Sequence, residues 1–276
     1  MKIDSHQHFW KYKQEEYAWI SDQMNLLKRD HLPAELFSIL TNAGYDGSIA
    51  VQARQSLKET DWLLKLASEN DFIKAVVGWV NLFSENIDEQ LSNYKLNRKF
   101  VGIRHVLQDE PDDDFMLGAG FCKGIKTLAK YDLTYDLLIF PKHLKIATKL
   151  VQQFPVQKFI LDHAGKPCIK ERAFEPWKNE ITILARNPNV FCKLSGMVTE
   201  ADWQNWKPAD FVPYLDILFE SFGPSRLMIG SDWPVCTIAG DYSHVMNLVE
   251  NYISNLSATE KKAILGENAV SIYRLH

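Results

Sequence analysis

Short apolar runs alternate with longer segments of helical spacing along the whole chain. Residues 49–51, 75–77 and 159–161 are continuously apolar, a pattern typical of parallel strands that are covered on both faces. Eight strands are predicted, over residues 2–8, 46–53, 73–81, 100–106, 134–139, 158–163, 190–195 and 226–232. Strands and helices that alternate in this way favour an α/β fold with a parallel sheet.

The segments between the strands carry helix signals. Helices are predicted over residues 33–43, 58–68, 144–153 and 209–222. The first begins at Pro33, which suits the first turn of a helix, and ends before Gly44, a residue type common just after helices. This pattern predicts a single (β/α)8 TIM-type barrel that occupies residues 1–276. An open doubly wound sheet is the alternative, but no Gly-x-Gly-x-x-Gly turn follows any strand.

Composition and charge narrow the function classes. Of the 276 residues 46% are hydrophobic, and the net charge is −4. A mildly acidic chain without a basic patch is not expected to bind nucleic acid or an anionic membrane. No apolar run approaches the roughly 20 residues of a membrane span, and the first residues show no secretory signal.

Four cysteines, Cys122, Cys168, Cys192 and Cys236, are far apart and form no Cys-x-x-Cys pair. Their spacing indicates neither a zinc ribbon nor a disulfide framework, so they are interpreted as small buried apolar residues. With no secretory signal, this predicts a cytoplasmic protein. A cysteine nucleophile at Cys168 or Cys236 is a weaker hypothesis, because no nucleophile motif surrounds either one. The sequence does not predict an oligomeric state.

Polar residues cluster where the predicted strands end. Because a barrel of this kind places its active site at the carboxyl ends of its strands, these side chains are expected to meet. They are His6, His8, Gln52, Trp79, Asn81, Arg104, His105, Asp136, Asp162, His163, Lys193, Ser195 and Asp232. Three long loops, residues 9–31, 108–116 and 199–208, are predicted to form lids over the same face. The acidic stretch 110–114 is interpreted as a solvated run of charges.

The strongest motif is Asp-Ser-His-Gln-His, which contains His6 and His8. Residues two apart in a strand share a face, so both imidazoles are predicted to point into the barrel mouth, as two ligands of one cation would. Asp232, in Gly-Ser-Asp-Trp-Pro, offers a carboxylate that can ligate a metal or accept a proton from water. His163, in Asp-His-Ala-Gly-Lys-Pro, offers a third imidazole or a hydrogen-bond donor. Strand alternation predicts that the side chain of Asp162 points to the opposite face of the strand from His163.

Two cationic positions leave alternatives open. The fourth strand ends in Arg104 and His105, and alternation without a known register does not decide which of them faces the barrel. Arg104 suits an oxyanion or a carboxylate because its guanidinium is a rigid fork, and a structural salt bridge is the alternative. Lys193 either holds substrate or pairs with Asp136 or Asp162 across the strands.

Together these motifs resemble the amidohydrolase superfamily, and within it the branch of L-fuconolactonases, L-rhamnonolactonases and 2-pyrone-4,6-dicarboxylate lactonase. The resemblance is carried by segments 4–10, 51–54, 77–80, 102–111, 161–167, 193–196 and 230–234. It implies a (β/α)8 barrel that hydrolyses a lactone ester, with Asp232 as the general base and His163 as a carbonyl-polarising residue.

The resemblance also bears on metal binding. It implies either one divalent, zinc-like ion held by His6, His8 and Asp232, with or without His163, or a metal-free site built from the same groups. The fifth strand, residues 134–139, lacks the His or modified Lys that many amidohydrolases carry as a further ligand. A binuclear centre is therefore not expected.

The substrate prediction rests on residues near the predicted mouth. Aromatic faces suit the C–H faces of a sugar ring, and polar side chains suit its hydroxyls. The predicted substrate contacts are Trp10, Trp79, Trp233, Gln52, Asn81, Arg104, His105 and Lys193. With few cations available, a neutral six-carbon or deoxy aldonolactone is favoured over a dicarboxylate. A metal-dependent decarboxylase of the same superfamily and a non-catalytic sugar-binding barrel are the alternatives.

Overall fold

A computed structural model describes residues 1–275 and places eight strands in one parallel sheet. The strands are Ile3–Gln7 (β1), Gly47–Val51 (β2), Ile73–Gly78 (β3), Phe100–His105 (β4), Thr134–Leu137 (β5), Phe159–Leu161 (β6), Val190–Leu194 (β7) and Leu227–Ile229 (β8), ordered as in the chain. Backbone hydrogen bonds from Asp232 N to His6 O (2.8 Å) and from His8 N to Trp233 O (2.7 Å) join the end of β8 to β1. The predicted (β/α)8 barrel is confirmed.

One helix follows each strand, and two more end the described chain. The helices are Pro33–Asn42 (α1), Leu57–Glu69 (α2), Ile87–Lys95 (α3), Ala119–Lys130 (α4), Leu144–Gln153 (α5), Trp177–Ala185 (α6), Pro208–Phe222 (α7), Tyr242–Tyr252 (α8), Ala258–Lys262 (α9) and Asn268–Tyr273 (α10). The four predicted helices correspond to α1, α2, α5 and α7, with ends within one residue. Within residues 1–275, no helix has both the length and the apolar character needed to cross a bilayer.

Two apolar layers hold the barrel together. The larger layer fills the space between the sheet and the surrounding helices. The smaller one lies inside the barrel, where Ile3, Val51, Val77 and Met228 from the strands pack with Tyr273 of α10. Because α10 fills one end of the barrel, the polar groups at the carboxyl ends of the strands have access to solvent only from the other.

Several strands end earlier than predicted because the backbone turns at the polar residues that follow. β6 ends at Leu161 and β8 at Ile229. His163 has a φ of 53° and Asp232 a φ of 59°, a left-handed conformation that no extended strand contains. Such a conformation costs a non-glycine residue about 1 kcal/mol or more and is concentrated at functional sites.

All four cysteines are free thiols. Cys192 and Cys236 are buried as predicted, whereas Cys122 is only partly buried and Cys168 is exposed, so the interpretation as buried apolar residues is wrong for these two. Burial raises the pKa of Cys236 well above its ordinary value, and partial burial raises that of Cys168. An activated nucleophile needs the opposite shift.

Candidate active site

A cavity of about 600 Å³ opens at the carboxyl ends of the strands. Its lining includes four predicted site residues, His8, Arg104, His163 and Asp232. The first two predicted lid loops also contribute to it, through Glu15, Glu16, Ala18, Trp19, Gln108, Asp109 and Glu110. The third predicted lid packs elsewhere, because Trp206 donates to the carbonyl of Ala239 at 2.7 Å and stacks on His244 of α8.

Three ligand atoms converge at the floor of this cavity. His8 Nδ1 donates to the carbonyl of Val51 at 2.8 Å, so in the neutral ring Nε2 carries a lone pair. His6 Nδ1 lies 3.3 Å from Asp162 Oδ1, and when its hydrogen points there, His6 Nε2 carries the lone pair, with Arg104 Nη1 3.3 Å away. The two Nε2 atoms are 3.2 Å apart, and Asp232 Oδ1 lies 3.7 Å from that of His6 and 3.3 Å from that of His8.

This arrangement fits one tetrahedral cation. With metal–ligand distances of about 2.0–2.2 Å, tetrahedral ligand atoms lie about 3.3 Å apart, close to the separations among His6, His8 and Asp232. A hydrogen bond from His8 Nδ1 to a backbone carbonyl is the usual way to orient a metal-binding imidazole. Three protein ligands leave a fourth position open, as in catalytic zinc sites.

A second group of potential ligands is His6, Asp162 and His163. Cations of the protein already occupy it. Arg104 Nη1 lies 3.1 Å from Asp162 Oδ2, and Lys193 Nζ lies 3.0 Å from Asp162 Oδ1. In the group of His6, His8 and Asp232, Arg104 Nη1 approaches His6 Nε2 at 3.3 Å, but within residues 1–275 no lysine or arginine pairs with the carboxylate, so this group is the better candidate metal site.

Asp232 is buried at the cavity floor. Burial by itself would raise the pKa of its carboxyl group, but His163, His8 and His6 together lower that pKa below its ordinary value. The carboxylate is therefore ionised at neutral pH. Its close contacts with the three histidines all involve Oδ1, which leaves Oδ2 as the oxygen able to accept a proton.

His163 faces the same carboxylate from the end of β6. Its Nε2 lies 4.0 Å from Asp232 Oδ1 and its Nδ1 lies 3.0 Å from Ser195 Oγ. Burial lowers the pKa of His163 to about 4, so the ring is neutral at pH 7. When the Ser195 hydroxyl donates to Nδ1, the ring hydrogen sits on Nε2. Gly196 makes room for this ring, because a Cβ there would lie 2.3 Å from Nδ1.

A network of two cations and two carboxylates lies beneath the candidate metal site. Lys193 Nζ is 2.5 Å from Asp136 Oδ2 and also contacts Asp162, which in turn binds Arg104. Burial raises the pKa of Asp136 to about 6. Burial also opposes ionisation of Asp162, yet Lys193, His6 and Arg104 hold the pKa of Asp162 well below its ordinary value. The prediction that Asp162 turns away from the barrel is wrong. It shares the inward face with Ile160, and the left-handed turn at His163 brings the His163 ring to the same side.

The structure also decides between the two residues at the end of β4. Arg104 faces the barrel, where its guanidinium donates to the carbonyl of Gln52 and to Asp162. His105 faces outward, with Trp79 Nε1 3.2 Å from its Nδ1. Of the two, only Arg104 lines the cavity.

The motifs and this geometry agree with the comparisons to known proteins. A family model described as amidohydrolase matches residues 3–275. The chain belongs to the amidohydrolase family. This amidohydrolase is 41% identical over 286 aligned residues to an L-fucono-1,5-lactonase of Burkholderia multivorans, with 100% of this chain and 96% of the relative covered. An L-fucono-1,5-lactonase of Burkholderia ambifaria is 34% identical, with 99% and 96% covered.

A solved structure is equally similar. The crystal structure of an amidohydrolase from Burkholderia multivorans with bound zinc superimposes with a TM-score of 0.96 at 41% identity, and both chains are covered in full. The family resemblance carried by the motifs is confirmed.

Seven residues predicted as substrate contacts do not line the cavity of this amidohydrolase; they are Gln52, Lys193, Trp10, Trp79, Trp233, Asn81 and His105. Gln52 and Lys193 lie in the barrel interior, where Gln52 Oε1 accepts from Arg104 at 3.2 Å. Trp10 anchors the first lid loop by donating to the carbonyls of Leu27 and Arg29. Trp233 is buried against the rings of Phe9 and His31, and the Asn81 side chain accepts from the Phe83 backbone in an exposed turn.

Other residues line the cavity without having been predicted as site residues. Trp19 and Glu16 come from the first lid loop, Lys166 follows His163, and Glu110 lies beyond β4. The interpretation of residues 110–114 as a solvated run is wrong for Glu110, whose Oε1 lies 2.7 Å from His105 Nε2. An aromatic residue in a predicted lid was the available signal for Trp19; the sequence held no comparable signal for Glu110.

Proposed function

We propose that this amidohydrolase hydrolyses a neutral sugar lactone, a six-carbon or deoxy aldonolactone. The observation that carries the proposal is the meeting of an ionised carboxylate, Asp232, with His8 and His163 at the cavity floor. Ester hydrolysis needs a base for the attacking water and a donor for the oxygen that becomes negative. Relatives with 41% and 34% identity, both called L-fucono-1,5-lactonase, support the same reaction.

In the proposed mechanism Asp232 Oδ2 accepts a proton from a water molecule as the water oxygen attacks the lactone carbonyl carbon. The Nε2–H group of His163 donates a hydrogen bond to the former carbonyl oxygen, which becomes negative. One such donor typically lowers the barrier by about 3–4 kcal/mol. The carbonyl then re-forms and the bond to the ring oxygen breaks. Protonated Asp232 returns its proton to that oxygen, which leaves the open hydroxy acid and a regenerated base.

His6 and His8 through Nε2, and Asp232 through Oδ1, would hold one divalent, zinc-like ion. When bound, such an ion supplies Lewis-acid polarisation and lowers the pKa of a bound water. The crystal structure of the amidohydrolase from Burkholderia multivorans contains bound zinc, which supports zinc as the ion. Binding can be tested without an activity assay. Zinc at 100 times its dissociation constant is expected to stabilise the folded protein by about 2.7 kcal/mol, which is measured as a rise in Tm. The His8→Ala variant should show no such rise.

The charges around the cavity favour a neutral substrate. Acidic residues outnumber basic ones: Glu15, Glu16, Asp109, Glu110 and Asp232 stand against Arg54, Arg104 and Lys166. Arg54 is paired with Glu16 at 2.7 Å, and Arg104 is bound by Asp162. Lys166 also lies 3.9 Å from Glu200. Apart from the divalent ion, the lining therefore offers a dicarboxylate no cation free of a carboxylate partner, whereas the hydroxyls of a neutral sugar need none.

The first experiment is a pH-indicator assay of acid release, with and without a chelator. The panel is L-fucono-, L-rhamnono-, D-galactono- and L-galactonolactone and 2-pyrone-4,6-dicarboxylate. Turnover of one aldonolactone is expected, and loss of that turnover with the chelator, restored by zinc, would establish the metal requirement. No turnover of any lactone in the presence of zinc would refute the proposal. Turnover of the dicarboxylate alone would refute the choice of a neutral substrate.

A further inference from the structure

A hydrogen-bond relay of Trp79, His105 and Glu110 lies outside the reacting groups and ends at the cavity wall. Trp79 Nε1 lies 3.2 Å from His105 Nδ1, and His105 Nε2 lies 2.7 Å from Glu110 Oε1. Glu110 lines the cavity, whereas Trp79 and His105 do not. The relay therefore connects the outside of β4 to the space in which the substrate would bind.

The direction of each hydrogen bond in this relay is fixed by the chemistry of its groups. An indole N–H can only donate, so His105 Nδ1 must accept from Trp79. Burial lowers the pKa of His105, which keeps the ring neutral, and its one hydrogen must then sit on Nε2. His105 thus donates to Glu110. Stacking of the His105 ring on Phe115, at 5.4 Å between centroids and 19° between planes, holds the ring in this orientation.

The result is a carboxylate with one anchored oxygen and one free oxygen. Oε1 of Glu110 receives the hydrogen bond from His105, and within residues 1–275 no group donates to Oε2. The other acidic residues of the wall are held differently. Glu16 is neutralised by Arg54, and Glu15 and Asp109 are exposed with no hydrogen bond or ion pair to their carboxylates within the described chain.

We propose that Glu110 binds a hydroxyl group of the sugar lactone and determines specificity for it, with His105 and Trp79 as its positioning residues. This inference rests on the proposed lactone hydrolysis. A hydroxyl that donates to a carboxylate forms a charge-assisted hydrogen bond, about twice as strong as a neutral one. Because the relay orients Glu110 before substrate arrives, little side-chain freedom is lost on binding.

The test is Glu110→Gln, assayed on the best lactone of the panel and on its monodeoxy derivatives, one for each hydroxyl. His105 should hold the amide oxygen of the variant, which turns the NH₂ group toward the cavity and replaces an acceptor with a donor. We expect kcat/KM for the parent lactone to fall about 10-fold or more. For the derivative that lacks the contacted hydroxyl, kcat/KM should change less than about 2-fold. In such a double-mutant cycle, removing Glu110 has little effect once its partner hydroxyl is gone.

Glu15→Gln is the matched control, because it makes the same chemical change in the same cavity without the relay, and it should leave kcat/KM within about 2-fold. His105→Phe keeps the stacking on Phe115 but removes the donor. It should reduce discrimination between the parent lactone and that one derivative, while kcat/KM for the derivative stays unchanged. Trp79→Phe is a second relay variant with the same expected pattern.

Four results would overturn the inference. Wild-type kcat/KM on the parent lactone in Glu110→Gln would remove the proposed contact, as would an equal loss on every derivative. A uniform loss on all substrates in both His105→Phe and Trp79→Phe would reject the positioning role. Wild-type protein inert toward every lactone would refute the proposed function and this inference together, which distinguishes that failure from the other three.

Discussion

Replacement of Asp232 with Asn tests the proposed chemistry most directly. Asn is nearly isosteric with Asp, but it has no carboxylate to accept the proton of the attacking water. In the wild-type protein the neighbouring histidines lower the pKa of Asp232, so the base is available throughout the neutral range. General-base catalysis contributes about 100- to 10,000-fold. We therefore expect kcat of Asp232→Asn to fall by that factor, equivalent to about 3–5 kcal/mol of barrier.

The assay is the initial rate of acid release from the best lactone at saturating zinc, with the metal content of each protein measured in parallel. That measurement is needed because Asp232 Oδ1 also faces the candidate metal site, and loss of the ion would lower kcat for another reason. Asp109→Asn makes the same change at an exposed carboxylate of the same cavity and should keep kcat within about 2-fold. An Asp232→Asn protein that is folded, carries zinc and retains more than about a tenth of wild-type kcat would refute the base assignment.

Three further predictions concern the surroundings of the site. Gly196→Ala places a Cβ 2.3 Å from His163 Nδ1, so kcat should fall at least about 10-fold with only a modest drop in Tm; unchanged kcat would contradict the role of His163. Lys193→Met leaves two buried carboxylates without their shared cation, so urea unfolding should show a loss of about 3–5 kcal/mol. Burial raises the pKa of Glu59 from 4.5 to about 7, so the folded state keeps a proton that the unfolded state loses, and wild-type stability falls as pH rises through that window. Glu59→Gln lacks this proton, so its stability relative to wild type should rise by up to about 3 kcal/mol between pH 4.5 and 8, and a pH-independent difference in urea unfolding would contradict the assignment.

The barrel could be predicted from the sequence because its strands are covered on both faces. β2, β3 and β6 contain continuous apolar runs that no half-exposed strand would show. Helix ends were equally readable where local signals exist, as at α1, which begins at Pro33 and stops shortly before Gly44 with its φ of 78°. The strand-end motifs correctly brought His8, Arg104, His163 and Asp232 to one cavity.

The direction of side chains beyond the strand ends could not be predicted in the same way. Alternation assumes extended backbone, and it fails at His163, where φ is positive. Asp162 lies on the inward face with Ile160, two residues earlier, and the turn brings His163 to that side as well. For His105, the register with neighbouring strands decides the direction, and the sequence does not contain it. The pairing of His105 with Glu110, five residues away, depends on a turn after β4 that carries no strong local signal.

The charges beneath the cavity limit the number of metal ions. A second ion beside His6 would need Asp162 as a ligand, but Arg104 and Lys193 already lie 3.1 and 3.0 Å from its two oxygens. A pair of like unit charges about 4 Å apart repels by about 4 kcal/mol in surroundings of intermediate polarity, and a divalent ion would meet two such cations. We therefore expect elemental analysis of the zinc-saturated protein to give one zinc per chain. His8→Ala should give none, and two tightly bound zinc ions in the wild-type protein would contradict this account of the network.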